Sequence, residues 1–234
     1  MKISFVIPAF NSADTLYPAI ESCLSQSHKD IEVVVVNDGS TDSTPDLLAW
    51  LDRQDNGGRV KIINQENKGR SESRNVGNQA ATGDILCVLD ADDLSMPRRA
   101  ELTVKAFEKG AVFVHGAAHM MDMVGRNLGM VPSDVFSREN SIEKLSAGII
   151  HSTVAYSKDL AMKYPYLSGE PARLGVDDFT IFMPMAFDGV KFDYLPNPLC
   201  AYRVNEFGIS AKRDNAEVIA FKKGFIDSLS KVPA

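Results

Sequence analysis

"IEVVVVNDGSTDSTPDLL" (Ile31–Leu48) decides how the chain must fold. Five of its first six residues are β-branched and apolar, without the polar alternation of a half-exposed strand, so Ile31–Val36 belongs inside a sheet covered on both faces. The run stops in a polar cluster, Asn37 to Asp42. Thr44 as cap and Pro45 at the first helical position then open a helix, with Leu47, Leu48 and Leu51 as its buried side. Buried strand, polar turn, helix: this is the repeating unit of a parallel α/β sheet.

The unit recurs on both sides. Upstream, Ile3–Ile7 reads as a strand ended by Pro8. A helix carrying Leu16, Ala19, Ile20, Cys23 and Leu24 on one face follows it. Downstream, Val60–Ile63 is a third strand, followed by a helix from Arg74 to Ala81 that Gly83 closes as a left-handed cap. Ile85–Leu89 is a fourth. Four alternations predict an α/β, Rossmann-like, doubly wound and mostly parallel sheet with helices on both faces. Such sheets bind ligands beyond the carboxyl ends of their strands. Here those ends carry "PAFN" (Pro8–Asn11), "NDGSTD" (Asn37–Asp42), "NQENKGR" (Asn64–Arg70) and "DADD" (Asp90–Asp93).

The second half is less regular. A helix from Pro97 to Gly110 and a strand at Ala111–Gly116 are expected, then loops and short helices from Met120 to Ile150. A helix over Gly175–Phe187, a late strand at Pro196–Asn205 and a helix from Asn215 to Leu229 complete the chain. With no repeat, linker or low-complexity tract, residues 1–234 read as one domain.

Composition narrows the function. The net charge of −6 lacks the basic excess of a sequence-independent nucleic-acid binder. No apolar run has the length of a membrane span, and no signal-peptide core follows Met1, so the expected location is the cytosol. Cys23, Cys87 and Cys200 lack metal-ligand spacing and read as buried free thiols.

The polar clusters suggest chemistry. Asp90 and Asp92 sit two residues apart, so both can address one site. Two hard oxygen donors suit Mg²⁺ or Mn²⁺, and a cation would turn their repulsion into ligation; the bland alternative is a set of helix-entry and loop charges. Asp38 can accept a hydrogen bond from a nucleobase, while Gly39 lets the backbone turn with positive φ, although Asn-Asp-Gly is also a common plain turn. Lys68, Arg70 and Arg74 surround Gly69 before a helix, a place for pyrophosphate or simply a solvated basic loop. Asp177 and Asp178 offer a general base or helix-entry charges. His115, His119 and His151 have no supporting spacing and read as structural or surface residues, and Ser40 and Ser71 lack a nucleophile context.

Taken in order, "SFVIPAFN", "VVVVNDGSTDST", "NKGRSESRNVGNQAATGD" and "VLDADD" resemble a family 2 inverting glycosyltransferase of the GT-A fold. Weaker similarity continues through "GVDDF" (Gly175–Phe179) and "YRVNEFGIS" (Tyr202–Ser210). The resemblance implies a nucleotide-diphosphate sugar donor, a divalent metal, a donor-binding half over 1–116 and an acceptor-side half over 117–234. It places Pro8, Ala9 and Phe10 beside the base, Asp38 and Gly39 on it, Lys68 and Arg74 near the nucleotide, and Asp90 with Asp92 on ribose and metal. Asp178 falls where the family has its base, with Asp177 replacing the usual Glu. Asn205 stands where His is frequent. The processive Gln-x-x-Arg-Trp signature is absent, which implies transfer of a single sugar to a glycan or lipid-linked acceptor in surface polysaccharide synthesis. That allows peripheral contact with the inner membrane face. Two other readings stand beside this one: a catalytically silent nucleotide-sugar binding module, and an aspartyl-nucleophile phosphatase, which leaves "NDGSTD" and "NKGR" unexplained.

Overall fold

The computed structural model describes residues 1–54, 57–133, 135–204 and 216–231. Its first half follows the predicted rhythm: β1 (Ile3–Ala9), α1 (Leu16–Leu24), β2 (Ile31–Asp38), α2 (Thr44–Asp52), β3 (Val60–Gln65), α3 (Arg70–Ala80) and β4 (Ile85–Val88). Then come β5 (Leu94–Ser95), α4 (Arg99–Phe107), β6 (Phe113–Met121), β7 (Asn127–Val131), α5 (Arg138–Lys144), a 3₁₀ turn (His151–Thr153), β8 (Ala155–Ser157), α6 (Lys158–Lys163), α7 (Glu170–Leu174), α8 (Asp177–Phe187), β9 (Asp193–Arg203) and α9 (Ala216–Leu229). Among the described residues the strands form one sheet in the order β3-β2-β1-β4-β8-β6-β9-β5, with β7 paired to β6.

β1 runs parallel to β2 and β4, and β2 to β3, so the carboxyl ends of these four strands share one edge. Alternation within the strands divides the core. Ile3, Phe5 and Ile7 of β1, Val33 and Val35 of β2, and Ile85 and Cys87 of β4 face α1, α2 and α4. Val6, Val34, Leu86 and Val88 face the other way, toward α6 and α8. A third cluster joins α8 to α7 and α9 through Phe179, Met183, Val218 and Ile226. This explains why α8 is apolar nearly all round: it is packed on two sides.

Several boundaries differ from expectation. Strand β1 continues through Pro8 to Ala9, with Pro8 paired in register to Val36. Ser43, not Thr44, is the N-cap of α2. Asp42 Oδ1 accepts from the Thr44 N–H (2.9 Å), and the Thr44 hydroxyl instead accepts from the Ser12 N–H (2.9 Å). Helix α3 starts at Arg70, four residues early, because its buried face is polar (Ser71, Ser73, Arg74, Asn78) and leaves no apolar periodicity to read. Gly83 is not a left-handed cap. Its N–H donates to Ser4 Oγ (2.8 Å), and a Cβ there would stand 2.9 Å from the Lys2 carbonyl oxygen, so close approach to β1 is what requires glycine. Helix α4 begins at Arg99 rather than Pro97, and β9 begins at Asp193. The stretch from Met120 to Ile150 holds a strand, β7, as well as the short helix α5. β7 is almost wholly exposed, so no hydrophobic pattern announces it; the ladder to β6 alone makes it a strand.

The start of β2 carries a buried acid. Glu32 accepts from the Ser4 hydroxyl (2.5 Å), the Thr82 N–H (2.5 Å), the Thr82 hydroxyl (2.8 Å) and Lys2 Nζ (3.1 Å). Burial alone would raise its carboxyl, but these donors outweigh it and hold it at about 2, below the ordinary 4.5. A depressed folded value means stability that is complete above the ordinary value and lost as pH falls toward 2. Glu32→Gln is therefore expected to cost roughly 2 kcal/mol at pH 7. In urea unfolding followed from pH 7 to 2, wild type and variant should converge at the acid end.

Candidate active site

The predicted rim is physically stapled. Asn11, itself at φ 49°, donates its N–H to Ser40 Oγ (3.0 Å) and accepts from the Thr41 N–H through Oδ1 (2.8 Å), joining the loops after β1 and β2. Asp38 joins the loops after β2 and β3. Its Oδ1 accepts from Gln65 Nε2 (2.7 Å) and the Lys68 N–H (2.8 Å), and its Oδ2 from the Gly69 N–H (2.8 Å). Gly39 has φ 67°, and a Cβ on it would meet the Asn67 nitrogen at 2.7 Å, so it serves both the turn and the contact. Ala9 is buried at the end of β1, Pro8 is half-buried, and Phe10 and the Lys68 side chain are exposed.

Arginines from α3 carry the rim across to the second half. Buried Arg74 donates from Nη2 to Asp90 Oδ1 (2.6 Å) and from Nη1 to Asp177 Oδ2, while Arg70 Nη2 donates to Asp177 Oδ1. Asp90 stands at the end of β4 and Asp177 in the first turn of α8, eighty-seven positions apart in the chain. Together with Asp178, His151, Ser152 and Tyr202 these residues line a cavity of about 240 Å³. Its remaining wall is apolar, including Ala118, Met120, Ile149 and Ile150. Asp38, Gly39, Phe10, Lys68 and Asp92 lie outside that lining. Asn205 lies outside the described residues.

Three neighbouring aspartates are thus tolerated because their surroundings differ. Burial raises the Asp90 carboxyl, but Arg74, helped by Arg70, overcomes it and holds the group at about 2. Asp92 is pushed up to about 6 by burial and by Asp90. Asp93, buried with its Oδ1 on the Arg203 N–H (2.8 Å), is held well above the usual carboxylate range by burial, Asp92 and Asp90. Asp177 is as buried as Asp93, yet Arg74 and Arg70 draw its carboxyl down despite that burial.

The donor chemistry fits a divalent cation. Among the described residues no set of three or more His, Cys, Asp or Glu side chains is gathered as a cage. Asp90 and Asp92 supply two hard oxygen donors, the Asp90 side chain is one-third exposed, and the repulsion lifting Asp92 is of the kind a cation relieves. Mg²⁺ and Mn²⁺ take their other ligands from phosphate and water in such sites.

Two residues of the site went unread in the sequence. Arg203 donates from Nε to the Asp92 carbonyl (2.8 Å) and from Nη1 to the carbonyls of Asp122 (3.0 Å) and Met123 (2.9 Å), tying the aspartate loop to the β6–β7 hairpin. His151, assigned no role by spacing, stands in the cavity wall, and burial followed by Arg74 pushes it down to about 4. His115 is buried, with Nδ1 on Ser133 (3.1 Å), as a structural histidine. The three cysteines are buried and unpaired.

A curled, mostly parallel sheet whose carboxyl edge faces an aspartate loop and a second acidic pair defines a GT-A glycosyltransferase fold. S. aureus TarS in complex with UDP superposes with a TM-score of 0.65 at 20% identity, over 98% of this chain and 71% of that one. The mannosyltransferase PcManGT of Pyrobaculum calidifontis, in complex with GDP-Man and Mn²⁺, gives 0.66 at 16% identity, over 100% and 76%. The chain belongs to glycosyl transferase family 2, whose model matches residues 4–164. An uncharacterized glycosyltransferase of Nostoc sp. is 32% identical over 88% of this chain and 65% of its own. The putative glycosyltransferase EpsH of Bacillus subtilis is 34% identical over 87% and 61%, and the succinoglycan biosynthesis protein ExoO of Rhizobium meliloti 39% over 55% and 36%. The chain spans less than two thirds of the length of each of these three relatives. Among the described residues no helix is long and apolar enough to cross a membrane.

Proposed function

We propose that the chain transfers a single glycosyl residue from a nucleotide-diphosphate sugar to an acceptor hydroxyl with inversion at the anomeric carbon. The carrying observation is the double grip of Arg74, which draws Asp90 and the Asp177–Asp178 pair onto one cavity. The nucleoside lies over the rim formed by Pro8, Ala9, Phe10, Asp38 and Gly39. Asp38 spends both oxygens on the β3–α3 loop, so its first task is to fix that loop, and a base contacts a remaining lone pair. Residues 1–116 form the donor half and 117–234 the acceptor-side half, with the cavity between them.

Asp178 is the general base. It takes the acceptor proton while the acceptor oxygen attacks from the face opposite the departing diphosphate. Asp177 orients Arg70 and Arg74 and is kept ionised by them. Asp90 and Asp92 would hold a divalent cation, which offsets the charge growing on the diphosphate. ExoO, named for succinoglycan biosynthesis, supports a glycan or lipid-linked acceptor in polysaccharide assembly.

Titration calorimetry with UDP and GDP, with and without Mn²⁺, tests the donor side. Binding of one nucleotide is expected to strengthen at least tenfold with Mn²⁺, and Asp92→Ala should erase that gain. Metal-independent phosphate release from a simple phosphoester, without nucleotide binding, would overturn the reading. Donor turnover by wild type separates a transferase from a silent binding module.

A further inference from the structure

Tyr156 and Tyr166, both buried, form a line of hydroxyls that ends at the cavity. Asn78 Nδ2 donates to the Tyr156 hydroxyl (3.3 Å), the two tyrosine hydroxyls lie 3.1 Å apart, and the Tyr166 hydroxyl lies 2.8 Å from His151 Nε2. An amide N–H can only donate, so Tyr156 accepts from Asn78. Among the described residues the buried Tyr156 hydroxyl has no acceptor for its own proton other than Tyr166, to which it therefore donates, and that sets the direction of the line. Tyr166, already accepting, donates to His151 Nε2. That nitrogen is therefore an acceptor, the ring is neutral, and its single proton sits on Nδ1. Phe182 meets the ring edge-on at 5.6 Å and Tyr166 lies tilted against it at the same distance, so the orientation is fixed as well as the tautomer. Nδ1 has no hydrogen-bond partner among the described residues, and the residue lines the cavity alongside Asp90, Asp177 and Asp178.

We propose that His151 reads the transferred sugar: its Nδ1–H, held in one tautomer by the Tyr156–Tyr166 line, donates a hydrogen bond to an oxygen of the glycosyl group. The assignment rests on the donor reading above. The sugar is favoured over the nucleoside because Phe10, Asp38 and Gly39 lie outside the cavity lining. It is favoured over the diphosphate because an uncharged donor suits a hydroxyl. The apolar wall of Met120, Ile149 and Ile150 suits the C–H face of a pyranose ring.

Two measurements test this. Nitrogen-15 spectra of histidine-labelled protein should show a neutral Nδ1–H ring at position 151, shifting toward Nε2–H in Tyr166→Phe. Calorimetry with Mn²⁺ then compares UDP with UDP-GlcNAc, and GDP with GDP-mannose. His151→Phe should weaken the sugar nucleotide about tenfold and leave the bare diphosphate unchanged. His151→Asn, whose amide N–H falls near the Nδ1 position, should recover most of that loss. Equal loss for both members of a pair, no recovery in His151→Asn, or an Nε2–H ring in wild type overturns the assignment. Wild-type protein that binds neither pair, with the tautomer as expected, overturns the donor reading beneath it instead.

Discussion

Asp178→Asn is expected to lower glycosyl transfer by about a thousandfold while leaving nucleotide affinity and melting temperature close to wild type. General-base catalysis contributes ~10²–10⁴-fold. An asparagine oxygen can still accept from the Phe179 N–H, as Asp178 Oδ1 does at 2.7 Å, so the start of α8 keeps its bond. Asp177→Asn is the informative contrast. Its carboxylate is the shared partner of two arginines, one of them buried, so its loss should lower stability before it touches chemistry. Transfer and thermal melts on both variants separate the roles. Full activity in Asp178→Asn beside a well-folded but inactive Asp177→Asn would move the base by one position.

The second large effect falls on stability. Arg74→Met takes the ion-pair partner from Asp90 and leaves Asp177 with Arg70 alone, and removing one partner of a buried ion pair costs ~3–5 kcal/mol. Methionine keeps the packing against Tyr166, over whose ring the guanidinium sits at 5.4 Å. The loss therefore reports charge rather than volume. Arg74→Lys should not rescue it, since one ammonium cannot reproduce a fork that addresses two carboxylates at once. Urea unfolding should show the drop at pH 7. It should shrink as the solution is acidified, because protonated Asp90 and Asp177 no longer need the partner. Wild-type stability in Arg74→Met would show that the arginine bridge does not hold the two halves of the site together.

Legibility followed from which interactions are local. The parallel sheet could be read because β1, β2 and β4 are buried on both faces, and Val33–Val36 announce that without reference to any neighbour. The start of α3 is not legible in the sequence because its buried residues are polar, and only the Asp38 bonds to the Lys68 and Gly69 N–H groups explain where it begins. β7 is invisible in the sequence because an exposed hairpin strand has no hydrophobic period.

By itself the sequence determined the α/β alternation, the shared carboxyl edge and the residue types gathered there, since burial and strand direction are encoded in runs of neighbouring side chains. Only the tertiary structure decided what each charged group does. Asp177 and Asp178 are adjacent and chemically alike in the chain, and they differ because Arg70 and Arg74 reach one of them from a helix about a hundred residues away. Asp90, Asp92 and Asp93 differ for the same reason. A carboxylate's ionisation is set by the burial and the charges around it in space, and sequence spacing carries neither.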